Sequence, residues 1–365
     1  MQSATEVVSS TPPDSISEQN AVSERQDNIG SVFSVEAFTP RRFLRNGHLQ
    51  TITGNFLSRT DALPPPVSEL VEVVPSTDRS SSTRVLCHCH WQPAETRATR
   101  PTAILLHGLE GSSNSQYIVG NANKLWAAGA NVVRVNMRNC GGTEELCSTL
   151  YHSGLSGDVA AVMNFFLKRE LLQSIALVGY SMGGNLVLKL AGELADSAPA
   201  QLRSVIGVSP AIDLGPSAAA LHRPQNRIYE RRFLRALLKR YRRKVQLSPD
   251  VYDPGRAEGL RSLRDFDDRI TAFYSGFASA EDYYYRAAAA RVLPHIAIPT
   301  LILHAQDDPF VVLTPETVSA IRANSKITFV QTKFGGHCAF LASPAHDYDG
   351  YWAESTLLRF ILAHA

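Results

Sequence analysis

A single serine stands between two glycines in Gly179-Tyr180-Ser181-Met182-Gly183, where the apolar run "SIALVG" gives way to apolar residues at helical spacing. This is G-x-S-x-G in a strand–turn–helix context, which marks the serine as a nucleophile rather than part of an ordinary tight connection. A strained turn needs neighbours without bulk, and the glycines supply them. The turn lifts the hydroxyl above the strand end and sets it at a helix N-terminus, where the dipole and free N–H groups favour a developing anion.

A serine hydroxyl at its ordinary pKa is a poor nucleophile, so it needs a base and a group that orients the base. The expected chain order is Ser, then Asp or Glu, then His. Downstream, "TLILHAQDDPFVV" carries an apolar strand into Asp307 and Asp308, and "FVQTKFGGHCAF" carries another into Gly-Gly-His337. Both deliver side chains to C-terminal strand ends, where sites in such sheets collect. His337 is therefore the expected base, with one of the two aspartates as its orienter. Hydrolases of this type commonly read His-Gly-x-x-Asp-x-x-Val here; laid on "HAQDDPFV", that pattern selects Asp308 and leaves Asp307 as a neighbour or loop-capping residue. His152, His222, His295, His304 and His346 lack the glycine-rich loop or the order, and are expected as surface or core residues.

An oxyanion needs two donors. The backbone N–H of Met182 is one. The other is expected from Leu109 in "LLHGLEGSSNS", after His107-Gly108 turns the chain. A glycine-rich loop can also cradle phosphate, but this one has neither a Walker Lys-Ser/Thr nor G-x-G-x-x-G.

The elements that must position these residues follow from periodicity. Strands are expected around Leu70–Val74 and Val85–Trp91, then at "TAILLHG", "NVVRVNM", "SIALVG", "LRSVIGVSP", "TLILHAQ" and "ITFVQTKF". Helices fall between most of them. One over "SQYIVGNANKLWAAG" is closed by Gly129, one opens at Asp158 as its N-cap, one follows Ser181, and another runs near Thr314–Ala323. "YWAESTLLRFILA" closes the chain. This alternation gives an α/β fold, a mostly parallel doubly wound sheet with helices on both faces.

Residues from Asp213 to about Ala290 break the rhythm with no strand pattern, and are expected to form a helical lid insertion over 213–290. Within it, Phe233, Leu234, Leu237, Leu238 and Tyr241 share one helical face. Its many basic residues admit peripheral contact with an anionic lipid surface, although a solvated helix face is the simpler reading. Phe233, Leu237, Tyr283, Tyr284 and Tyr285 either line an apolar pocket or pack in the core or lid.

At 365 residues, 44% hydrophobic and 19% charged, the chain has the composition of an ordinary globular protein. Its net charge of +2 gives no reason to expect nucleic acid. Residues 1–34 are expected to be a disordered Ser-, Glu- and Gln-rich tail without a secretory signal, and 35–365 a single hydrolase domain. No apolar run is long enough to span a bilayer. Five cysteines at irregular spacing suit a reducing compartment, hence a cytoplasmic location. In "CHCHW" a strand would point Cys87 and Cys89 to one side and His88 and His90 to the other, so no metal is expected there, nor any organic cofactor elsewhere.

Several longer motifs carry a resemblance: "RNGHLQTITGNF", "LLHGLEGSSNSQYI", "VNMRNCGGTEELCSTLYHSGLSGD", "GYSMGGN", "FDDRITAFYSGFASAEDYYYRA", "HAQDDPF" and "GGHCAF". Together they resemble the YheT-like branch of the α/β-hydrolases, a group of esterases and lipases that includes embryogenesis-associated plant proteins and mammalian abhydrolase-domain lipases. The resemblance runs from Phe38 to the C-terminus. It implies the α/β-hydrolase fold, a triad of Ser181, Asp308 and His337, and action on small-molecule or lipid esters such as acylglycerols or phospholipids. The mammalian members carry an N-terminal anchor that has no counterpart here, and no histidine has an aspartate at the H-x-x-x-x-D spacing discussed for acyl transfer to alcohols. Thioester or amide hydrolysis by the same triad, and a hydrolase-fold binder without turnover, are the alternatives.

Overall fold

The computed structural model describes residues 33–74 and 82–365. The chain divides into two units, Met1–Ser34 and Val35–Ala365, and the account below concerns the second. The expected tail lies almost wholly outside the described residues.

The eight expected strands form at β1 (Val67–Val74), β2 (Thr83–His90), β3 (Thr102–Leu106), β4 (Asn131–Val135), β5 (Ile175–Tyr180), β6 (Leu202–Val208), β7 (Thr300–Ala305) and β8 (Ile327–Thr332). They make one sheet in the order β1-β2-β4-β3-β5-β6-β7-β8. From β4 to β8 every pairing is parallel, while β2 runs antiparallel to both of its neighbours. β3, β4 and β5 are buried along their whole length, which is why they read as continuous apolar runs rather than alternating ones.

Helix α1 (Gly47–Phe56) precedes the sheet; α2 (Ala94–Arg97), α3 (Gln116–Ala127), α4 (Ser156–Arg169) and α5 (Met182–Leu194) fill the early connections. The path from β3 to β4 steps one way across the sheet and the path from β4 to β5 steps back. Right-handed crossovers therefore place α3 on one face and α4 and α5 on the other. α3 accordingly packs on the last helix of the chain, and α4 packs on α5.

Between β6 and β7 come only helices and irregular chain: α6 (Leu214–Leu221), α7 (Arg227–Leu247), α8 (Leu263–Phe266), α9 (Phe273–Ser275) and α10 (Ala280–Ala287), with a π-helical stretch at Asp267–Ala272. α11 (Pro315–Ala323) joins β7 to β8, and α12 (Trp352–His364) ends the chain. α11 starts as its sequence suggests, with the Thr314 side chain accepting the Thr317 N–H and Pro315 in the first turn.

One local expectation changes, and one open alternative closes on packing. The helix after β4 starts at Ser156, not Asp158, because the Asp158 carboxylate is committed to Arg138, with Nε–Oδ2 at 2.6 Å. Tyr283 and Tyr284 are packing residues: both are buried, with hydroxyls bonded to Ser153 and Asp267, while Tyr285 is exposed. In "CHCHW", Cys87 and Cys89 are in the core, and His88 on the other face bonds Ser113.

Candidate active site

Ser181 follows β5 and opens α5 with φ 53° and ψ −115°, a conformation that an L-residue holds only when its surroundings impose it. The surroundings are tight. A Cβ on Gly183 would lie 2.5 Å from the His107 carbonyl oxygen, so glycine alone lets β3 and the turn approach this closely. The Ser181 N–H donates to the Val208 carbonyl at 2.9 Å, tying the turn to the end of β6.

The loop after β3 is fixed atom by atom. His107 accepts the Met137 N–H at Nε2 (3.2 Å), so the ring proton sits on Nδ1, which donates to the Gly108 carbonyl at 2.8 Å. Burial pushes the His107 pKa down to about 4 and keeps the ring neutral in this role. The Gly108 N–H donates to Tyr117 Oη, the Glu110 N–H to Tyr151 Oη, and the Gly111 N–H to the Gly108 carbonyl. Of the four amides from Gly108 to Gly111, only that of Leu109 has no acceptor among the described residues. Gly108 borders Ser181, since a Cβ built on it would fall 3.1 Å from the serine Cβ. The Met182 N–H is the first of its helix and has no intrahelical partner.

Asp308 follows β7 and His337 follows β8, and the two meet: His337 Nδ1 lies 2.7 Å from Asp308 Oδ2. Asp308 Oδ1 accepts the N–H groups of Phe310 and Val311. Burial works against charge on both partners. The imidazolium and these donors nevertheless hold the Asp308 carboxyl below its ordinary range, and the carboxylate raises the His337 pKa above the ordinary 6.5. Asp307 points elsewhere. Its Oδ1 accepts the Gly336 N–H at 2.8 Å, and its Oδ2 is buried without a partner. Of the other histidines, His152 packs edge-on to Phe277 and Tyr283 and His222 pairs with Glu230, while His304 is buried close enough to Asp308 and His337 to feel both charges.

Sequence reasoning missed how the His337 loop is held. The Thr51 hydroxyl of α1 accepts the His337 N–H (2.8 Å) and donates to the Gly47 carbonyl (2.6 Å). Buried Gln50 bonds Leu341 at both its N–H and its carbonyl. Gly336, at φ +57°, leaves room for Gln50 and Thr51 against it. The signal was the "GHLQT" of the first motif, quoted for resemblance but given no role. Thr51→Val is expected to cost about 1–3 kcal/mol by orphaning a buried N–H. It should also lower kcat more than it raises KM, measured by urea unfolding beside ester kinetics.

The family model for the α/β-hydrolase fold matches residues 101–344. The chain belongs to the α/β-hydrolase fold family. The resemblance to the YheT-like branch holds as well. The protein YheT of Escherichia coli (strain K12), a candidate esterase by its name, is 30% identical over 88% of this chain and 91% of its own. Phospholipase ABHD3 of Mus musculus is 29% identical over 67% of this chain, and the monoacylglycerol lipase of Saccharomyces cerevisiae is 27% identical over 72%. This chain spans 59% of the length of each of those two. Among solved structures, Est1E from Butyrivibrio proteoclasticus superposes with a TM-score of 0.50 at 16% identity, covering 81% of this chain and 98% of that one, a likeness of fold. These relatives set the chain among the family's carboxylic ester hydrolases. Among the described residues no helix is long and apolar enough to cross a membrane.

Proposed function

We propose that the chain hydrolyses carboxylic esters through an acyl-enzyme on Ser181. The observation that carries this reading is the His337–Asp308 pair at 2.7 Å, in a loop whose Cys338 meets the Val208 carbonyl that also takes the Ser181 N–H. Ser181 Oγ attacks the ester carbonyl and His337 Nε2 takes its proton. Asp308 keeps the other ring nitrogen protonated and stabilises the imidazolium. The oxyanion accepts from the Leu109 and Met182 amides, each such donor contributing about 3 kcal/mol. The imidazolium then gives its proton to the departing alcohol. Water, activated by the same histidine, releases the acid and frees the serine. Every step uses this chain's own groups.

The relatives named phospholipase and monoacylglycerol lipase favour acyl lipids as the substrate class. The helical segment over 213–290 acts as a lid. Its Arg240 forms a bidentate pair with Glu110 (2.9 and 3.0 Å), next to Leu109, so the lid helix and the oxyanion loop are held together. All five cysteines are free, which suits the reducing cytoplasm.

The test is a fluorophosphonate probe read by intact mass, beside p-nitrophenyl esters of increasing chain length with matched thioester and amide substrates. One adduct mapped to Ser181, with esters turned over best, supports the reading. No adduct and no turnover would leave a binder. Preference for the thioester or amide would keep the triad and change the substrate.

pH adds a second check. The base must be neutral, and the Asp308 carboxylate raises the His337 pKa. The acid limb of kcat/KM is therefore expected above pH 6.5, with activity rising as pH increases through it. The pair's contribution to folding is complete between about pH 4 and 6.5: it is lost as pH rises through the raised His337 pKa, and lost in acid as Asp308 takes up its proton. In Asp308→Asn the largest opposition to burial is gone and only Cys338 still raises the ring, so the limb should move to lower pH than in wild type.

A further inference from the structure

Helix α1 is amphipathic the wrong way round. Its buried positions include Gly47, Gln50 and Thr51, committed to the loop that carries His337. Its outward positions Leu49, Ile52 and Phe56, at i, i+3 and i+7, form an apolar stripe in which Phe56 is 73% exposed. Phe43 in the preceding turn is 79% exposed and stands among Arg41, Arg42 and Arg45. Among the described residues nothing covers these side chains.

Helix α7 presents the complement. Leu234, Leu237 and Tyr241 are buried on one side. On the other, Arg227, Arg231, Arg232, Arg235, Lys239 and Arg242 fall on one exposed stripe, and none forms an ion pair among the described residues. Their neighbours behave differently: Arg240 pairs with Glu110 and Glu144, Arg243 with Glu145, and Lys244 bonds main-chain carbonyls. The single carboxylate within the helix, Glu230, is buried and bonded to His222 and the Leu263 N–H. Ile228, 70% exposed, adds an apolar residue to the stripe.

The two surfaces meet at the site. The His48 ring stacks on Tyr229 at 5.8 Å with Nδ1–Oη at 3.2 Å; Tyr229 lies 5.1 Å from Phe310, and Phe310 lies 4.4 Å from the His337 ring. We propose that this α1–α7 face docks on an anionic phospholipid bilayer. The α1 stripe and Phe43 enter the headgroup layer, and the α7 cations hold the acidic headgroups. A strand of nucleic acid would use the cations but leave Leu49, Ile52 and Ile228 in water. A second copy of this chain across a two-fold axis would set like charges against each other. A bilayer satisfies both stripes. Docking stands on the surface alone; that it presents a lipid ester to Ser181 rests on the hydrolase reading.

The test is co-sedimentation of the full chain with phosphatidylcholine vesicles, with and without phosphatidylserine, at low and high salt. Binding is expected on the anionic vesicles and should weaken about tenfold or more on neutral ones or in high salt. The double variant Arg231→Glu/Arg235→Glu, and separately Phe43→Ser/Phe56→Ser, should each lose vesicle binding to a similar degree. Both should keep the wild-type thermal midpoint and rate on soluble p-nitrophenyl butyrate. No binding to anionic vesicles, or binding that both double variants retain, would overturn the proposal. So would a dimer in light scattering that Phe43→Ser/Phe56→Ser dissociates while vesicles go unbound, which would assign the stripe to a second copy. A wild type that binds vesicles but turns over no ester would sink the hydrolase reading and leave the docking intact.

Discussion

Replacing Ser181 by alanine is expected to lower kcat on a p-nitrophenyl ester by about a millionfold where the background permits it to be followed, and to abolish labelling by a fluorophosphonate. His337→Ala should cost nearly as much. The double variant should fall no further, because nucleophile and base act as one unit and the loss of either ends proton-coupled attack. What remains is catalysis by the Leu109 and Met182 amides and by binding alone. The turn geometry adds an arm that separates chemistry from folding. At φ 53° and ψ −115° the residue stores strain that Ser181→Ala keeps and Ser181→Gly releases. Both variants should be inactive, while Ser181→Gly should melt above Ser181→Ala, with positive φ at a non-glycine residue costing about 1–3 kcal/mol. A Ser181→Ala enzyme within tenfold of wild type would sink the assignment.

How much of this was legible beforehand depends on the range of the interactions. The inner strands were visible because a parallel sheet covered on both faces writes itself as short apolar runs between turn signals, and the antiparallel β1 and β2 because a turn-rich stretch separates two strand-like runs. The serine turn was visible because its glycines are sequence neighbours of the residue they make room for. The histidine loop was only half visible. Gly-Gly-His announces a bend, but the Thr51 hydroxyl that receives the His337 N–H lies 286 positions away, and the Gln50 amide that holds Leu341 lies 291 away. Neither leaves a periodic trace. Asp158 misled for the same reason: its type suits an N-cap, but Arg138 across the loop takes the carboxylate. The basic residues of α7 looked alike in sequence. Only the packed helix separates Arg240, held by Glu110, from Arg231 and Arg235, which form no ion pair among the described residues.

The adjacent aspartates give the sharpest contrast in the site. Asp308→Asn is expected to lower kcat by about ten-thousandfold, since an amide there supports the wrong imidazole tautomer and cannot balance the imidazolium. Asp307→Asn is expected to stay within about tenfold of wild type, since uncoupled changes near a site usually cost little. The physical difference lies in what each oxygen does. Asp308 Oδ2 faces His337 Nδ1 at 2.7 Å, and its Oδ1 takes two main-chain N–H groups, so both oxygens act only as acceptors. Asp307 bonds one main-chain N–H and leaves its second oxygen buried and unpartnered, and burial together with the neighbouring Asp308 raises its pKa. An asparagine at 307 can keep the acceptor for Gly336 while removing a charge that repels Asp308. Its effect should therefore show mainly as an unchanged or slightly raised melting temperature. Steady-state kinetics on one ester across pH, run on both variants, decides the matter. A collapse confined to Asp308→Asn, with the acid limb moved to lower pH than in wild type, fixes the orienting carboxylate at 308. The same collapse in Asp307→Asn with Asp308→Asn spared would move that role one residue back and make the 2.7 Å pair a structural ion pair.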